Sequence, residues 1–403
     1  MNSTISLISQ VLLSLFIVVT AISCNQSKSE SSKNNTMHIN WTKLSTEGLQ
    51  GNLKKGVSAV YAALIDGKLV VAGGANFPGK LGFEGGSKAF YDEILLYDDT
   101  AGEWKVIGHL PSSTAYGVSV AVTDGALWIG GNNAEESLKS AYHISLSSDN
   151  ELTIKPFIDL PVTMDNFYGC SIGNLVFVAG GSVNGSPSNS FYFINYKTDS
   201  EWTELPDFPG IPRVQPVLAP VEKEGKTFVY LLGGFFSGNA TARPAMATEV
   251  LEYDVSLKKW SVGGEQTDPE TNKPFSLGGG TAMPFNNRYI LCLGGVNYDI
   301  FLDAITTQYN IGNNTELTEY GKKEENLEFS QGYMTQPVEY YKFNRECRVF
   351  DTVTGEWSTI DNTSDAARAG ATLVFEDNLF YVIQGELKPG LRSAETFRGV
   401  IKQ

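Results

Sequence analysis

The strongest constraint in this sequence is an apolar run ending in two glycines, which recurs along the 403-residue chain. The five regular copies span residues 69–74, 127–131, 175–181, 229–234 and 290–295, and a sixth copy at 379–385 keeps only the second glycine. A strand-like run precedes each copy, another follows it, and a tryptophan then marks a fourth run in most repeats. Those tryptophans are Trp104, Trp202, Trp260 and Trp357. Each repeat therefore predicts four short strands.

Six repeats of four strands predict an all-β protein, a six-bladed β-propeller of the kelch-like type. A four-stranded sheet cannot bury both of its faces alone. Neighbouring blades cover those faces, and closing the ring removes the exposed edges. The 41 glycines fit this prediction, because close backbone approaches and tight turns need residues without a side chain.

The two ends of the chain are predicted to meet in one blade. The last repeat runs out at the C-terminus before a fourth strand can form. The string Trp-Thr-Lys-Leu at residues 41–44 copies the fourth-strand strings at 202–205 and 357–360. We therefore expect the N-terminal strand to close the last blade, which gives a single propeller over residues 39–403. The alternative is that Trp41 is only a loop aromatic.

One interval between glycine pairs is much longer than the others. Gly295 and Gly385 lie 90 residues apart, against about 50 to 61 for the remaining intervals. The extra length forms an insertion at about residues 296–346. Its tyrosines and phenylalanines favour a lid over a ligand site, and a surface excursion without a role is the alternative.

The N-terminus is typical of an exported protein. Residues 7–22 are nearly all apolar and too few to span a bilayer comfortably, so residues 1–24 are predicted to be a signal peptide. The string at 21–24 resembles a bacterial lipobox, which would make Cys24 the lipidated residue, and residues 25–38 form a polar tether. We expect a location in the periplasm or outer membrane of a Gram-negative bacterium, with membrane contact only through this anchor. An ordinary secretory signal is the alternative.

Charge and residue counts argue against several classes of partner. The formal net charge of −15 repels phosphate backbones, so nucleic acid is not expected as a partner. Beyond Cys24, the cysteines and histidines are few and lie in unrelated contexts, so we predict no metal site and no disulfide framework. These residues are Cys170, Cys292, Cys347, His38, His109 and His143.

The degenerate sixth repeat is where the sequence places chemistry. The residues that follow the other glycine pairs are neutral or apolar, whereas the sixth copy offers Glu386 and replaces its first glycine with Gln384. The turn signal Pro389-Gly390 can fold the loop so that Glu386 and Arg392 face each other near the axis. A carboxylate can transfer protons, and an arginine can hold a substrate carboxylate. The alternative is an exposed loop ion pair of little consequence.

Other candidates for ligand contact are weaker. Arg213 and Arg368 open the first strands of their blades and are candidates for lining the channel, although arginine is common there in kelch repeats for structural reasons. Asn297, Phe301 and Tyr341 are candidates for contacts with a sugar. Packing within the insertion explains Phe301 and Tyr341 equally well.

The string Gly-Glu-x-Lys-Pro-Gly-x-Arg at residues 385–392 resembles the active-site string of the N-acetylneuraminate epimerases, the sialic acid mutarotases. Residues 294–301 and 115–119 are also similar to that family. The resemblance covers most of the chain from about residue 41, but in rotated order, as in a cyclically permuted branch.

This resemblance implies a periplasmic six-bladed kelch propeller that interconverts the α and β anomers of sialic acid by opening and closing its ring. Glu386 would be the proton-transferring residue, and Arg392 would hold the sugar carboxylate. No metal or other cofactor is implied. The rival reading is a non-catalytic kelch propeller that binds a glycan or a protein, because fold does not determine function.

Overall fold

The computed structural model describes residues 37–402. The predicted signal peptide, Cys24 and nearly all of the polar tether lie outside these residues. Within the described part of the chain, no helix is long and apolar enough to cross a membrane.

Six antiparallel sheets of four strands make up most of the described chain, and each sheet is one blade. Blade 1 consists of Tyr61–Ile65, Lys68–Ala72, Glu93–Asp98 and Glu103–His109. Blade 2 consists of Val118–Val122, Gly125–Ile129, Ala141–Leu146 and Leu152–Pro156. Blade 3 consists of Tyr168–Ile172, Leu175–Ala179, Phe191–Asn195 and Thr203–Leu205. Blade 4 consists of Val217–Lys223, Lys226–Leu232, Glu249–Asp254 and Lys259–Glu265. Blade 5 consists of Gly280–Phe285, Tyr289–Gly294, Glu346–Asp351 and Glu356–Asn362. Blade 6 consists of Thr372–Glu376, Leu379–Ile383, Thr396–Lys402 and His38–Lys43. The predicted all-β, six-bladed architecture is confirmed.

The blades are joined at the axis by a closed ring of backbone hydrogen bonds. In each blade, one residue shortly before the first strand takes part in this ring. It donates its N–H to the carbonyl of the corresponding residue in the preceding blade, over 2.7 to 3.1 Å. All six residues have left-handed φ values between +51° and +70°. In chain order they are Ala59, Tyr116, Asn166, Gln215, Gly279 and Gly370. The sixth residue donates to the fifth and accepts from the first, so the ring closes on itself.

The N-terminal strand completes blade 6, as predicted. His38–Lys43 pairs antiparallel with Thr396–Lys402, with His38 opposite Lys402. The indole of Trp41 packs edge-on against Phe380, with ring centroids 5.4 Å apart, and its Nε1 donates to an Asp361 carboxylate oxygen at 2.8 Å. The ends of the described chain are therefore held in the same sheet.

Apolar side chains fill the six interfaces between blades. A separate buried cluster lies at every interface between neighbouring blades, including the one between blades 6 and 1. The repeat tryptophans add hydrogen bonds across these interfaces. Each indole N–H donates to a backbone carbonyl at or just after the end of the fourth strand of the preceding blade. The pairs are Trp104 with Ser45, Trp202 with Ile158, Trp260 with Pro206 and Trp357 with Glu265.

Short elements connect the strands on the upper face, which we define as the end of each blade where the first strand begins and the second ends. The paired two- and three-residue strands there are Ala75–Asn76 with Ala89–Phe90, Ser182–Val183 with Met164–Asp165 and Ser186–Pro187, Phe235–Phe236 with Ala245–Met246, and Glu386–Lys388 with Leu391–Arg392. Short 3₁₀ helices occur at Gly51–Lys55, Gly82–Glu84 and Ser364–Ala366.

The long interval in blade 5 is helical. It contains α1 (Tyr298–Gly312), α2 (Glu319–Met334) and α3 (Val338–Tyr341), between the second and third strands of the blade. A seventh apolar cluster joins these helices to loops of blades 4, 5 and 6 on the upper face. Its buried members are Met246, Val296, Ile305, Tyr341, Phe343 and Ala369. The insertion therefore packs over one sector of the upper face.

The closure of blade 6 predicts a stability difference between the two faces of its N-terminal strand. Ile39 is buried between blades 5 and 6, whereas Thr42 of the same strand is exposed. We expect Ile39→Ala to lower the free energy of unfolding by about 2–5 kcal/mol, because it leaves a cavity in a packed interface. The control Thr42→Ala should stay within about 0.5 kcal/mol of the wild type. Urea denaturation measures both, and equal stabilities would contradict docking of this strand.

Candidate active site

A short hairpin on blade 6 brings Glu386 and Arg392 together. The strands Glu386–Lys388 and Leu391–Arg392 pair around a turn at residues 389–390, with Glu386 opposite Arg392 in register. Gly390 has φ +85°, which suits glycine in the turn. The two side chains form an ion pair in which Arg392 Nη2 lies 2.5 Å from Glu386 Oε1.

This hairpin lies directly beside the axial ring. Glu386 and Ala369 exchange backbone hydrogen bonds of 2.7 and 3.1 Å, and Ala369 immediately precedes the ring residue Gly370. Gln384 keeps the left-handed backbone of the glycine that it replaces, with φ +52°, and its side-chain oxygen accepts a hydrogen bond from the Val57 N–H at 2.8 Å. The irregular residue of the sixth repeat thus anchors blade 6 to blade 1 beneath the ion pair.

Arg392 is held rigidly and keeps one donor group unused. Only 3% of its side chain is exposed. Its Nε donates to Ser58 Oγ at 3.3 Å, and the guanidinium lies 5.3 Å from the centre of the Phe77 ring. The buried Nη1 has no hydrogen-bond partner within residues 37–402. A buried guanidinium nitrogen without an acceptor is costly unless a ligand supplies one.

Glu386 has a perturbed acidity. Burial raises the pKa of this carboxyl group, and the charges of Arg392 and Lys88 oppose that rise without cancelling it. The side chain of Glu386 is 23% exposed, so the carboxylate is accessible to a ligand. A partly exposed carboxylate with a raised pKa has the properties of a general acid–base group.

Lys88 and Tyr116 complete this group of polar residues and come from blades 1 and 2. Lys88 Nζ donates to the Tyr116 hydroxyl at 3.0 Å and lies 4.7 Å from the centre of the same ring. It also lies 5.8 Å from the centre of the Phe77 ring that faces Arg392. Sequence reasoning did not select either residue. The available signal was weak: Tyr116 lies in the 115–119 string similar to the epimerases, and Lys88 ends a glycine-rich loop.

The end of α2 covers the hairpin from above. Lys388 Nζ donates to the carbonyls of Met334 and Gln336, at 3.1 and 2.6 Å. Tyr333 is close enough for the Glu386 charge to act on it: burial chiefly raises the pKa of Tyr333, and Glu386 contributes to the rise. The insertion therefore reaches the candidate site with the C-terminal end of α2.

Comparison with known proteins identifies the family. A model described as N-acetylneuraminate epimerase matches residues 19–154 and 157–403. The chain belongs to the N-acetylneuraminate epimerase family.

Individual relatives are more distant. An N-acetylneuraminate epimerase of Haemophilus influenzae (strain 86-028NP) is 31% identical over 242 residues, covering 60% of this chain and 58% of that protein. N-acetylneuraminate epimerase 1 of Escherichia coli O6:H1 is 26% identical over 264 residues, covering 62% and 65%. The matched regions thus span less than two thirds of these relatives. A solved structure entitled "Structure of YjhT" aligns with a TM-score of 0.48 at 23% identity, covering 59% of this chain and 62% of that one.

In this epimerase-family chain, the three candidates from the insertion support the helices. The Asn297 side chain caps α1 by accepting the Ile300 N–H at 3.1 Å. Phe301 packs edge-on against Phe235, with ring centroids 4.8 Å apart. Tyr341 is buried and donates its hydroxyl to the Tyr333 carbonyl. Each of the three thus has a structural contact in or beside the insertion, and their contact with a sugar stays a prediction.

The two arginine candidates are also structural residues. Arg213 and Arg368 are both buried and occupy equivalent positions in blades 4 and 6. Each donates through Nη1 to the carbonyl of the first position of its glycine pair, at 3.3 Å, and through Nη2 to a glutamate beside the third strand, at 2.8 and 3.0 Å. The acceptor residues are Gly233 and Glu249 for Arg213, and Gln384 and Glu395 for Arg368. The donors of both buried side chains are thus occupied within their own blades, which agrees with the structural interpretation of these arginines.

No group of three or more histidine, cysteine, aspartate or glutamate residues within 37–402 is placed to hold a metal ion. Cys170, Cys292 and Cys347 are free and buried, and burial raises the pKa of each thiol. They pack as small apolar side chains, as expected.

The raised pKa of Glu386 makes stability depend on pH in a defined direction. The folded protein holds this proton more tightly than the unfolded chain, so the group's stabilising contribution is complete below the unfolded pKa and is lost as pH rises through the folded pKa. The free energy of unfolding of the wild type, minus that of Glu386→Gln, should therefore fall as pH rises from about 4. Urea denaturation at stepped pH measures it, with exposed Glu376→Gln of the same blade as control. A difference that rises or stays flat would contradict burial of Glu386.

Proposed function

We propose that this protein interconverts the α and β anomers of N-acetylneuraminate by acid–base opening and closing of the sugar ring. The observation that carries the proposal is the Glu386–Arg392 pair beside the axial ring, with a perturbed carboxyl group and an unpartnered guanidinium nitrogen. Membership of the N-acetylneuraminate epimerase family supports the choice of substrate.

Arg392 binds the carboxylate of the sugar. Its Nη2 is engaged by Glu386 and its Nε by Ser58, so Nη1 is the donor left for a ligand. A charge-assisted hydrogen bond from a buried guanidinium contributes more than one made in water, because the site excludes competing solvent. Ser58 and Phe77 fix the plane of the guanidinium and thereby the orientation of the bound sugar.

Glu386 moves the proton. The anomeric carbon of N-acetylneuraminate carries a hydroxyl group, the ring oxygen and the carboxylate. Glu386 takes the proton of the anomeric hydroxyl and a proton passes from the site to the ring oxygen as its bond to the anomeric carbon breaks; with Glu386 alone it is the same proton, and the products are a ketone and a hydroxyl group at the former ring oxygen. Rotation of the open chain exposes the other face of the ketone, and the reverse proton transfers close the ring. The protein ends in its starting protonation state.

The energetic demand of this reaction suits the groups available. Anomers of free sugars interconvert spontaneously, so the enzyme has to lower a modest barrier. General acid–base catalysis by a placed carboxyl group gives accelerations of about 10²–10⁴-fold, which is sufficient. The raised pKa of Glu386 brings it closer to neutral pH, where proton transfer in both directions is efficient.

We further propose that the protein acts after export. The features of residues 1–24 and of the tether at 25–38 support a signal peptide and a lipid anchor at Cys24. The substrate would then be free sugar outside the cytoplasm.

Glu386→Gln should abolish catalysis and retain sugar binding, because the amide keeps the shape of the carboxylate but cannot accept the proton. Proton NMR of freshly dissolved α anomer follows the approach to anomeric equilibrium. We expect wild-type protein to accelerate it and Glu386→Gln to leave the spontaneous rate. The matched control is Glu249→Gln, which removes a carboxylate from the buried arginine pair of blade 4 and should keep the wild-type acceleration.

A wild-type protein that binds the sugar without altering the equilibration rate would overturn the catalytic proposal and favour a binding module. A protein with neither binding nor acceleration would overturn the choice of substrate.

Arg392→Lys should weaken substrate binding, because lysine cannot pair with Glu386 and present a second fixed donor at once. Losing a hydrogen bond to a charged group costs about 1.5–3 kcal/mol, so we expect KM to rise about 10–100-fold. Exchange rates measured across sugar concentrations report KM. Arg288→Lys, at an arginine paired with Asp351 on the opposite face, is the control. An unchanged KM in Arg392→Lys would remove the assigned role of this residue.

A further inference from the structure

Tyr116 is an aromatic residue fixed in an unusual backbone conformation at the mouth of the axis. Its φ is +62°, a region that bulky residues rarely adopt. Its N–H donates to Ala59 at 3.0 Å, and its carbonyl accepts from Asn166 at 2.9 Å, both within the axial ring. The ring therefore holds the backbone of Tyr116 from both sides, as it holds its other five residues, and so fixes where the Tyr116 side chain begins.

The hydroxyl of Tyr116 has a charged hydrogen-bond donor beside it. Lys88 Nζ donates to this oxygen, so the phenol accepts from an ammonium group. Because the oxygen accepts this hydrogen bond, the phenolic O–H can donate to another group. The ammonium group also lies 4.7 Å from the centre of the Tyr116 ring, so Lys88 holds the phenol through both its oxygen and its ring.

The pair Lys88–Tyr116 and the pair Glu386–Arg392 belong to one site. The positive charge of Lys88 acts on Glu386 and partly opposes the rise in its pKa that burial causes. The cationic groups of Lys88 and Arg392 both contact the Phe77 ring, at 5.8 and 5.3 Å from its centre. Phe77 is thus a neighbour that the two pairs share.

The order of the axial ring places Tyr116 two residues round from Gly370 of blade 6. Going round the ring from Gly370 of blade 6, the next residue is Ala59 of blade 1, and then Tyr116 of blade 2. The first two have no side chain beyond Cβ. Tyr116 is therefore the first ring residue in that direction with a side chain longer than a methyl group.

We propose that Tyr116 is the second acid–base group of the site and that Lys88 is its positioning residue. This inference rests on the proposed anomer interconversion and deepens it. Glu386 takes the proton of the anomeric hydroxyl, while Tyr116 gives its phenolic proton to the ring oxygen.

The proton balance of this two-group reaction is complete. The bond between the anomeric carbon and the ring oxygen breaks, its electron pair stays on that oxygen, and the phenolic proton makes it a hydroxyl group. The anomeric oxygen becomes the ketone oxygen, and its proton resides on Glu386. On closure the hydroxyl returns its proton to the Tyr116 phenolate as it attacks the ketone, and Glu386 protonates the ketone oxygen.

Tyr116→Phe and Lys88→Met test this assignment in the full protein. Tyr116→Phe should lower kcat for anomer exchange about 10²–10⁴-fold, the contribution of a placed acid, with KM within about threefold of wild type. Lys88→Met should lower kcat less, and Lys88→Arg should recover most of the loss, because it restores a cation beside the phenol. Saturation-transfer NMR across sugar concentrations separates kcat from KM.

The matched control is Tyr196→Phe. Tyr196 lies on the lower face, carries Lys197 over its ring at 5.0 Å and bonds Thr123 through its hydroxyl, so the same chemical change is made outside the site. Its rate should equal the wild-type rate. Thermal unfolding verifies that each variant is folded, and Lys88→Met with its arginine rescue decides the matter if Tyr116→Phe does not fold.

The outcomes separate this inference from the proposed function. An active wild type, an inactive Glu386→Gln and a fully active Tyr116→Phe would overturn the role of Tyr116 alone. A rise in KM without a fall in kcat in Tyr116→Phe would also overturn it, in favour of binding. A wild type without any acceleration would overturn the proposed function and this inference with it.

Discussion

The closed ring of six backbone hydrogen bonds is the constraint on which the rest of the structure depends. Each bond needs a residue with left-handed φ ahead of a first strand, so every blade begins from the same local conformation at the axis. Once the six positions are joined, the loops that follow the second strands converge on one face. Side chains from blades 1, 2 and 6 are then close in space although they lie far apart in the sequence.

Blade 6 combines closure of the propeller with the candidate chemistry. Its outer strand comes from the N-terminal part of the chain, and its hairpin carries Glu386 and Arg392. Gln384 departs from the repeat and links this blade to Val57 of blade 1 beneath the ion pair. The interface between blades 6 and 1 therefore also supports the charged groups. Poor packing at this interface would displace Glu386 and Arg392.

Prediction from sequence succeeded where the signal was local or repeated. The glycine pairs and tryptophans predicted the blades, Trp41 predicted the closing strand, and the turn at residues 389–390 predicted that Glu386 faces Arg392. The helices of the insertion were not predicted, because that segment has no repeat to compare with and α2 has little apolar periodicity. Asn297, Phe301 and Tyr341 were selected by residue type, which does not distinguish a ligand contact from a cap or a packed ring.

The sequence by itself determined the number of blades, the position of closure and the hairpin that pairs a carboxylate with an arginine. These features depend on periodicity and on contacts only a few residues apart. Only the tertiary structure decided that Arg392 keeps a buried donor free and that Lys88 lies on the hydroxyl of Tyr116. The physical reason is that burial and contacts between blades arise from ring closure, which brings together residues that no local pattern connects.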